Sequence, residues 1–178
     1  EYVLILGSVW AEIFLLGGNM VQNSAKHLII GGGIIGCSIA YHLSRMGEKD
    51  VCLLERANLT EGATWHAAGL VGQLRSSRNT TRMLKKSVEM YDRLQLQEGL
   101  KFDWKKTGSL RLAATKERML EARRLATMAR SFDLEMHIIS PSEAKQLFPL
   151  IEQNGLEGAA FIPSDGYVDP ASLCQAIA

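Results

Sequence analysis

Gly31-Gly-Gly-Ile-Ile-Gly36 constrains this chain more than any other stretch. The apolar run His27–Ile30 precedes it, and Ile34–Met46 follows with Ile35, Ile39, Ala40 and Leu43 at helical spacing. Gly47 takes the C-cap role, and a second apolar strand runs from Asp50 to Glu55. Strand, glycine turn, helix and strand in that order make a βαβ unit with parallel strands. Gly31, Gly33 and Gly36 form GxGxxG. Gly31 permits the tight turn, Gly33 lets backbone approach a pyrophosphate, and Gly36 lets helix and strand pack closely. The amides at the helix N-terminus then face the phosphates, and the helix dipole favours their charge. Glu55 follows about 20 residues after the last glycine, where a carboxylate accepts hydrogen bonds from ribose hydroxyls and repels a 2′-phosphate. The constellation predicts a bound dinucleotide and disfavours NADP. It leaves NAD and FAD open.

Composition narrows the rest by exclusion. A chain of 178 residues is long enough for one ordinary domain, and 47% hydrophobic with 22% charged residues is the balance of a globular protein. A net charge of +1 offers no electrostatic case for nucleic acid or an anionic membrane. Cys37, Cys52 and Cys174 lack any CxxC spacing, so they are expected as free thiols in a reducing compartment, Cys37 and Cys52 buried. His27, His42 and His137 have no partner at ligand spacing, and no metal site is expected. Residues 1–25 form an unassigned extension. Glu12 interrupts its apolar run and no basic segment precedes it, which argues against a signal peptide or a membrane span. Met20 makes a natural start, so residues 1–19 are expected to be non-native, with a short anchor or targeting piece as the alternative. Both ends read as cut, since Ala171–Ala178 is helical without a capping signal.

Between these ends the chain alternates loops, helices and strands. Residues 56–76 are rich in Gly, Ala, Ser and Thr, and a loop that long is usually functional. Residues 79–98 read as a helix whose stripe of Leu84, Val88, Tyr91 and Leu94 packs in a core. Lys105–Thr115 alternates as one strand. Lys116–Phe132 is an amphipathic helix with Met119, Ala122, Leu125, Ala129 and Phe132 inward, and its Arg118, Arg123, Arg124 and Arg130 form a solvated face. His137–Ile139 reads as a strand. Ser140, Pro141 and Glu143 open a helix with a capping box. Gly158–Ile162 is a further strand, and Pro163–Pro170 a turn-rich connection in which Asp165 and Tyr167 serve the turn rather than catalysis.

The segment Gly62-Ala-Thr-Trp-His-Ala-Ala-Gly-Leu70 decides between the dinucleotides. It resembles the covalent-flavin loop of the dimethylglycine dehydrogenase and sarcosine dehydrogenase family, within the D-amino-acid-oxidase-like flavoproteins. The resemblance runs from about Lys26 to the end and includes Glu55-Arg56, Gly108–Ala113, Phe148-Pro-Leu150 and Pro163–Gly166. Gly69–Arg75 resembles the sarcosine branch weakly more than the dimethylglycine branch. The resemblance implies FAD, bonded through a ring nitrogen of His66 to the 8α-methyl of the flavin. It also implies cofactor contacts from Ile34, Ile35, Glu55 and Arg56, and along Gly62, Ala63, Thr64, Trp65, Ala67, Ala68, Gly69 and Leu70, beside Gly31, Gly33 and Gly36. Small residues there let backbone lie against a flat ring system, and a histidyl link raises the flavin's reduction potential. A loop histidine packed near the flavin without a bond remains the alternative for His66.

The expected fold is α/β: an incomplete FAD-binding Rossmann-like βαβ domain over 26–76, then the start of an inserted α+β substrate domain over 77–165. A helix over 166–178 returns toward the first domain. The resemblance implies oxidation of an N-methyl amino acid, sarcosine, dimethylglycine or similar, to an imine by hydride transfer from the N-methyl carbon to flavin N5. Electrons leave to an electron-transfer flavoprotein or to oxygen. Tetrahydrofolate takes part only through a C-terminal domain of the family absent from this chain, and the catalytic residues are expected beyond Ala178. The 178 residues alone are expected to be poorly soluble and inactive. The location implied is cytoplasmic, or the mitochondrial matrix in a eukaryote. A non-covalent FAD amino-acid or glycerol-phosphate dehydrogenase, and a non-catalytic nucleotide-binding fragment, remain as alternatives.

Overall fold

A computed structural model describes the backbone of residues 3–6 and all of residues 24–178. The expectations for Glu12 and Met20 lie outside the described residues. In chain order the elements are β1 (Val3–Leu6), β2 (His27–Ile30), α1 (Ile34–Arg45), β3 (Val51–Glu55), β4 (Leu70–Val71), α2 (Arg78–Leu96), β5 (Trp104–Lys105), β6 (Ser109–Ala113), α3 (Lys116–Arg130), β7 (His137–Ile139), α4 (Pro141–Leu147), β8 (Gly158–Ile162), β9 (Gly166–Val168) and α5 (Pro170–Ile177). They fall into two compact units. One comprises residues 1–69, 100–103 and 169–178, the other residues 70–99 and 104–168.

The first unit carries the βαβ motif. β2 lies parallel to β3, with Leu28 opposite Cys52 and Ile30 opposite Leu54. β1 pairs antiparallel on the other side of β3, Val3 opposite Glu55. Gly31 turns the chain out of the sheet at φ +107°, and its N–H donates to the Leu54 carbonyl at 2.7 Å. α1 then lies so close to this turn that a Cβ on Gly36 would sit 1.9 Å from the Gly31 carbonyl oxygen. The helix stops where Gly47 takes φ +89° and donates to the Ser44 carbonyl at 2.9 Å, while Glu48 N–H reaches back to the Leu43 carbonyl at 3.0 Å. α5 begins at Asp169, whose carboxylate accepts the amides of Ala171 and Ser172, and packs against α1. The three cysteines are buried and free. The apolar stripe of α1 is divided. Gly36 and Cys37 face the sheet and α5, while Ile35 and Ile39 are exposed.

The second unit is built on an antiparallel sheet in the order β6-β8-β7. α3 covers it with Met119, Ala122, Ala126 and Ala129, and α4 adds Ala144. Small alanines on both sides let helix and sheet approach closely: Ala113, Ala122 and Ala160 share one cluster with Met119, and Ala144 and Ala159 share another with Ile151. Ser140 and Glu143 close the expected capping box of α4. A smaller sheet runs β4-β9-β5.

Two expectations are corrected here. Lys105–Thr115 is not one strand. Gly108 sits at φ +79° with its amide on the Asp165 carbonyl at 2.7 Å, and the Phe161 ring fills the space a side chain would need. That kink sends β5 to β9 and β6 to β8, and alternation alone does not register it. The connection Pro163–Pro170 also holds a strand, β9, which enters between β4 and β5 because Gly166 lets the Lys105 carbonyl come within 2.1 Å of where a Cβ would be.

Candidate functional site

The glycine turn and the loop after β3 form one hydrogen-bonded object within the first unit. Gly33 is the N-cap of α1 and contributes no side-chain cap. The cap comes instead from thirty residues onward: Ile34 N–H donates to Thr64 Oγ1 at 2.9 Å, and Thr64 is only 6% exposed. Gly33 must lack a side chain for this, since a Cβ there would stand 2.9 Å from the same hydroxyl oxygen. Thr60 adds a second tie, its amide donating to the Gly32 carbonyl at 3.0 Å. The loop is then braced internally by Trp65 N–H on the Thr60 carbonyl and Ala67 N–H on the Thr64 carbonyl.

Glu55 stands at the end of β3 with both carboxylate oxygens engaged. Oε2 accepts Gly32 N–H at 2.6 Å and Oε1 accepts Ala57 N–H at 3.0 Å. These amide bonds, Gly32 first, hold its carboxyl below the usual glutamate range. An anionic carboxylate keeps further lone pairs for hydroxyl donors. The donor set therefore fits a dinucleotide. A helix N-terminus with no acid in its first turn meets a side-chain-free cap at Gly33, and a fixed anion lies beside it.

The other sequence-assigned residues are placed as follows. Gly31, Gly33, Ile34 and Gly36 line the turn and the first turn of α1; Ile35 is on that turn with its side chain exposed. Arg56, Gly62, Ala63, Trp65, His66, Ala67 and Ala68 are exposed along the loop, and Gly69 is half-buried at φ +72°. Leu70 belongs to the other unit, opposite Tyr167 in the β4–β9 ladder. Sequence reasoning missed Gly32 and Thr60. Gly32 presents its amide to Glu55 and its carbonyl to Thr60, and a Cβ there would lie 2.4 Å from Leu59 Cδ2. The uninterrupted triple glycine was its available signal. Thr60, buried at φ +76°, had none, because threonine is not a residue expected in that conformation.

Asp165 has a structural task in the second unit. It is buried, and it accepts Gln73 N–H at 3.0 Å, Gln73 Nε2 at 3.0 Å and Ser109 Oγ at 2.6 Å. It so fixes the segment that follows β4.

Residues 26–178 match the FAD dependent oxidoreductase (DAO) family. The chain belongs to that family. Human mitochondrial sarcosine dehydrogenase is 38% identical over 159 residues, which is 89% of this chain and 17% of that protein. Rat mitochondrial dimethylglycine dehydrogenase is 39% identical over 157 residues, 88% of this chain and 18% of that protein. Among solved structures, L-proline dehydrogenase from P. horikoshii superposes with a TM-score of 0.81 at 29% identity, covering 86% of this chain and 40% of that one. The chain thus spans under a fifth of the length of these curated relatives, and the glycine turn with the loop whose threonine caps α1 lies in the part that matches the family.

Proposed function

We propose that this chain is the FAD-binding and adjoining portion of an amine dehydrogenase that oxidises the N-methyl carbon–nitrogen bond of sarcosine, dimethylglycine or a similar N-methyl amino acid. The observation that carries the reading is the Thr64 bond to Ile34, which fixes the histidine loop onto the dinucleotide turn. The identity to sarcosine and dimethylglycine dehydrogenases supports the substrate class. FAD, when bound, supplies a two-electron acceptor for the carbon next to the amine nitrogen. The chain's own residues do the holding. Amides at the start of α1 face the pyrophosphate, that of Ile34 shared with Thr64 Oγ1; Glu55 takes ribose hydroxyls, Ile34, Ile35 and Arg56 add cofactor contacts, and the small residues Gly62, Ala63, Ala67, Ala68 and Gly69 let backbone lie against the ring.

His66 is the covalent attachment point in this proposal. It follows Thr64 by two residues, so its Cα lies within about 7 Å of a residue pinned to the helix N-terminus. The first unit is the FAD-binding part, with α5 returning to pack on α1, and the second is the start of the substrate-side insertion. An electron-transfer flavoprotein or oxygen takes the electrons, and tetrahydrofolate acts only through a further C-terminal domain. No helix among the described residues is long and apolar enough to cross a membrane. The proposed location is the mitochondrial matrix, or the cytoplasm outside eukaryotes.

The test is acid denaturation of the full-length protein followed by removal of free cofactor. Flavin fluorescence and a mass gain of one FAD on the His66 peptide, both absent in His66→Ala, are expected, along with turnover of N-methyl glycines. Flavin released intact would move the assignment to non-covalent FAD dehydrogenases. No flavin at all would leave a nucleotide-binding module without catalysis.

A further inference from the structure

Two buried thiols meet directly behind the dinucleotide turn. Cys37 lies in the first turns of α1 and Cys174 in α5, 137 positions later, and neither has any solvent exposure. Their sulfurs converge on one atom: Cys37 Sγ is 3.6 Å and Cys174 Sγ 3.7 Å from the Gly32 carbonyl oxygen. Sharing that oxygen places the two sulfurs side by side. The Gly32 carbonyl is the one that receives Thr60 N–H, and the Gly32 amide is the one that holds Glu55. The pair therefore backs the peptide groups that shape the cofactor site.

We propose that Cys37 and Cys174 are a redox modification site, which a hydroperoxide admitted by local opening of the α1–α5 packing converts into a disulfide tying α1 to α5 beneath the glycine turn. The Cys37 sulfur attacks the peroxide O–O bond to give a sulfenic acid and release water. The Cys174 sulfur then displaces the sulfenic hydroxyl as a second water and closes the S–S bond. Two thiols and one hydrogen peroxide give one disulfide and two waters, so the two electrons lost by sulfur reduce the O–O bond. Their environments give the sulfurs different parts. The Cys174 S–H favours the thiolate of Cys37, the attacking group, and Cys174 keeps its proton well above the usual thiol range. Cys52 on β3 is buried and has no thiol partner among the described residues, and burial pushes its thiol up, so it serves as an internal control. Closing the bond removes both S–H groups from the Gly32 carbonyl and loosens the turn that FAD needs.

The experiment treats the full-length apoprotein with graded hydrogen peroxide, blocks remaining thiols after unfolding, and maps peptides without reduction. A Cys37–Cys174 linked peptide, two hydrogens lighter than the sum, is expected at doses that leave Cys52 alkylatable. Cys174→Ser and Cys37→Ser should each abolish it. Uptake of FAD by the linked apoprotein, read as quenching of flavin fluorescence, should fall several-fold and recover on reduction with dithiothreitol. The proposal is overturned if Cys37 and Cys174 remain separately alkylatable while Cys52 oxidises, if Cys37 over-oxidises without a link, or if linked protein takes up FAD unchanged. The peptide map reads the link without reference to any amine substrate, so it is independent of the proposed activity.

Discussion

Replacing Thr64 by valine isolates what the loop contributes to the turn. Valine keeps the volume of a side chain that is 6% exposed, so no cavity opens, and only the hydroxyl acceptor of Ile34 N–H is lost. Two routes give the size of the effect. A net hydrogen bond is worth about 1 kcal/mol. Removal of an N-cap oxygen costs about 1 kcal/mol, within a range of about 0.5–2. Because α1 has no cap from its own Gly33, no side chain of that residue takes over. The expected loss is about 1 kcal/mol, or a fall of about 3 °C in Tm for a domain of this size. Urea unfolding of the apoprotein measures it, with Thr64→Ser, which keeps the oxygen, as the companion. Serine should recover most of the loss, and valine should also slow the flavin attachment proposed at His66, because the histidine loop leaves the helix end. A valine variant as stable as wild type, with serine no different from it, would refute the reasoning.

Other perturbations test neighbouring parts of the same frame. Gly36→Ala places a Cβ 1.9 Å from the Gly31 carbonyl oxygen, and urea midpoints should register a loss near the upper end of overpacking costs, about 3 kcal/mol. The Glu55 carboxyl is depressed below its ordinary value of 4.5 by the Gly32 and Ala57 amides, so its stabilisation is present above that value and disappears as pH falls through the depressed one. Glu55→Gln should therefore flatten the acid limb of the Tm-against-pH curve while leaving its slope near neutrality unchanged. Asp165→Asn turns an acceptor of three donors into a group with its own N–H pair, and calorimetry should find about 2–3 kcal/mol less stability without a change in FAD uptake.

The parts legible in the sequence were those set by local chemistry. Glycine spacing after an apolar run placed the βαβ unit, and Ser140-Pro-Ser-Glu143 placed the start of α4, because a cap and a turn depend on near neighbours. The motifs at Gly31–Gly36 and Gly62–Leu70 could each be read singly. Their joining could not, since the Thr64–Ile34 bond spans thirty residues and no propensity encodes it. Cys37 and Cys174 were legible as thiols but not as a pair, for the same reason. The strand break at Gly108 and the insertion of β9 were lost because each follows from one close approach, the Phe161 ring in one case and the Lys105 carbonyl in the other.

The apolar run His27–Ile30 carries a last consequence. A parallel strand reads as continuously hydrophobic when both sheet faces are covered. Here α1 covers the face of Ile29, which is 8% exposed, while Leu28 and Ile30 on the opposite face are 56% and 83% exposed. Among the described residues β2 is also an edge strand, in the order β1-β3-β2. Full burial of such a side chain is worth about 1.5–3 kcal/mol, so two left mostly in water forgo about 3 kcal/mol and present an apolar edge to other copies. The 178-residue polypeptide expressed alone should therefore self-associate, and Leu28→Lys with Ile30→Lys should raise its soluble fraction several-fold with unchanged far-UV circular dichroism. Light scattering decides it: a wild-type polypeptide that stays monomeric as its concentration rises would mean that the bare face is not the liability this geometry makes it.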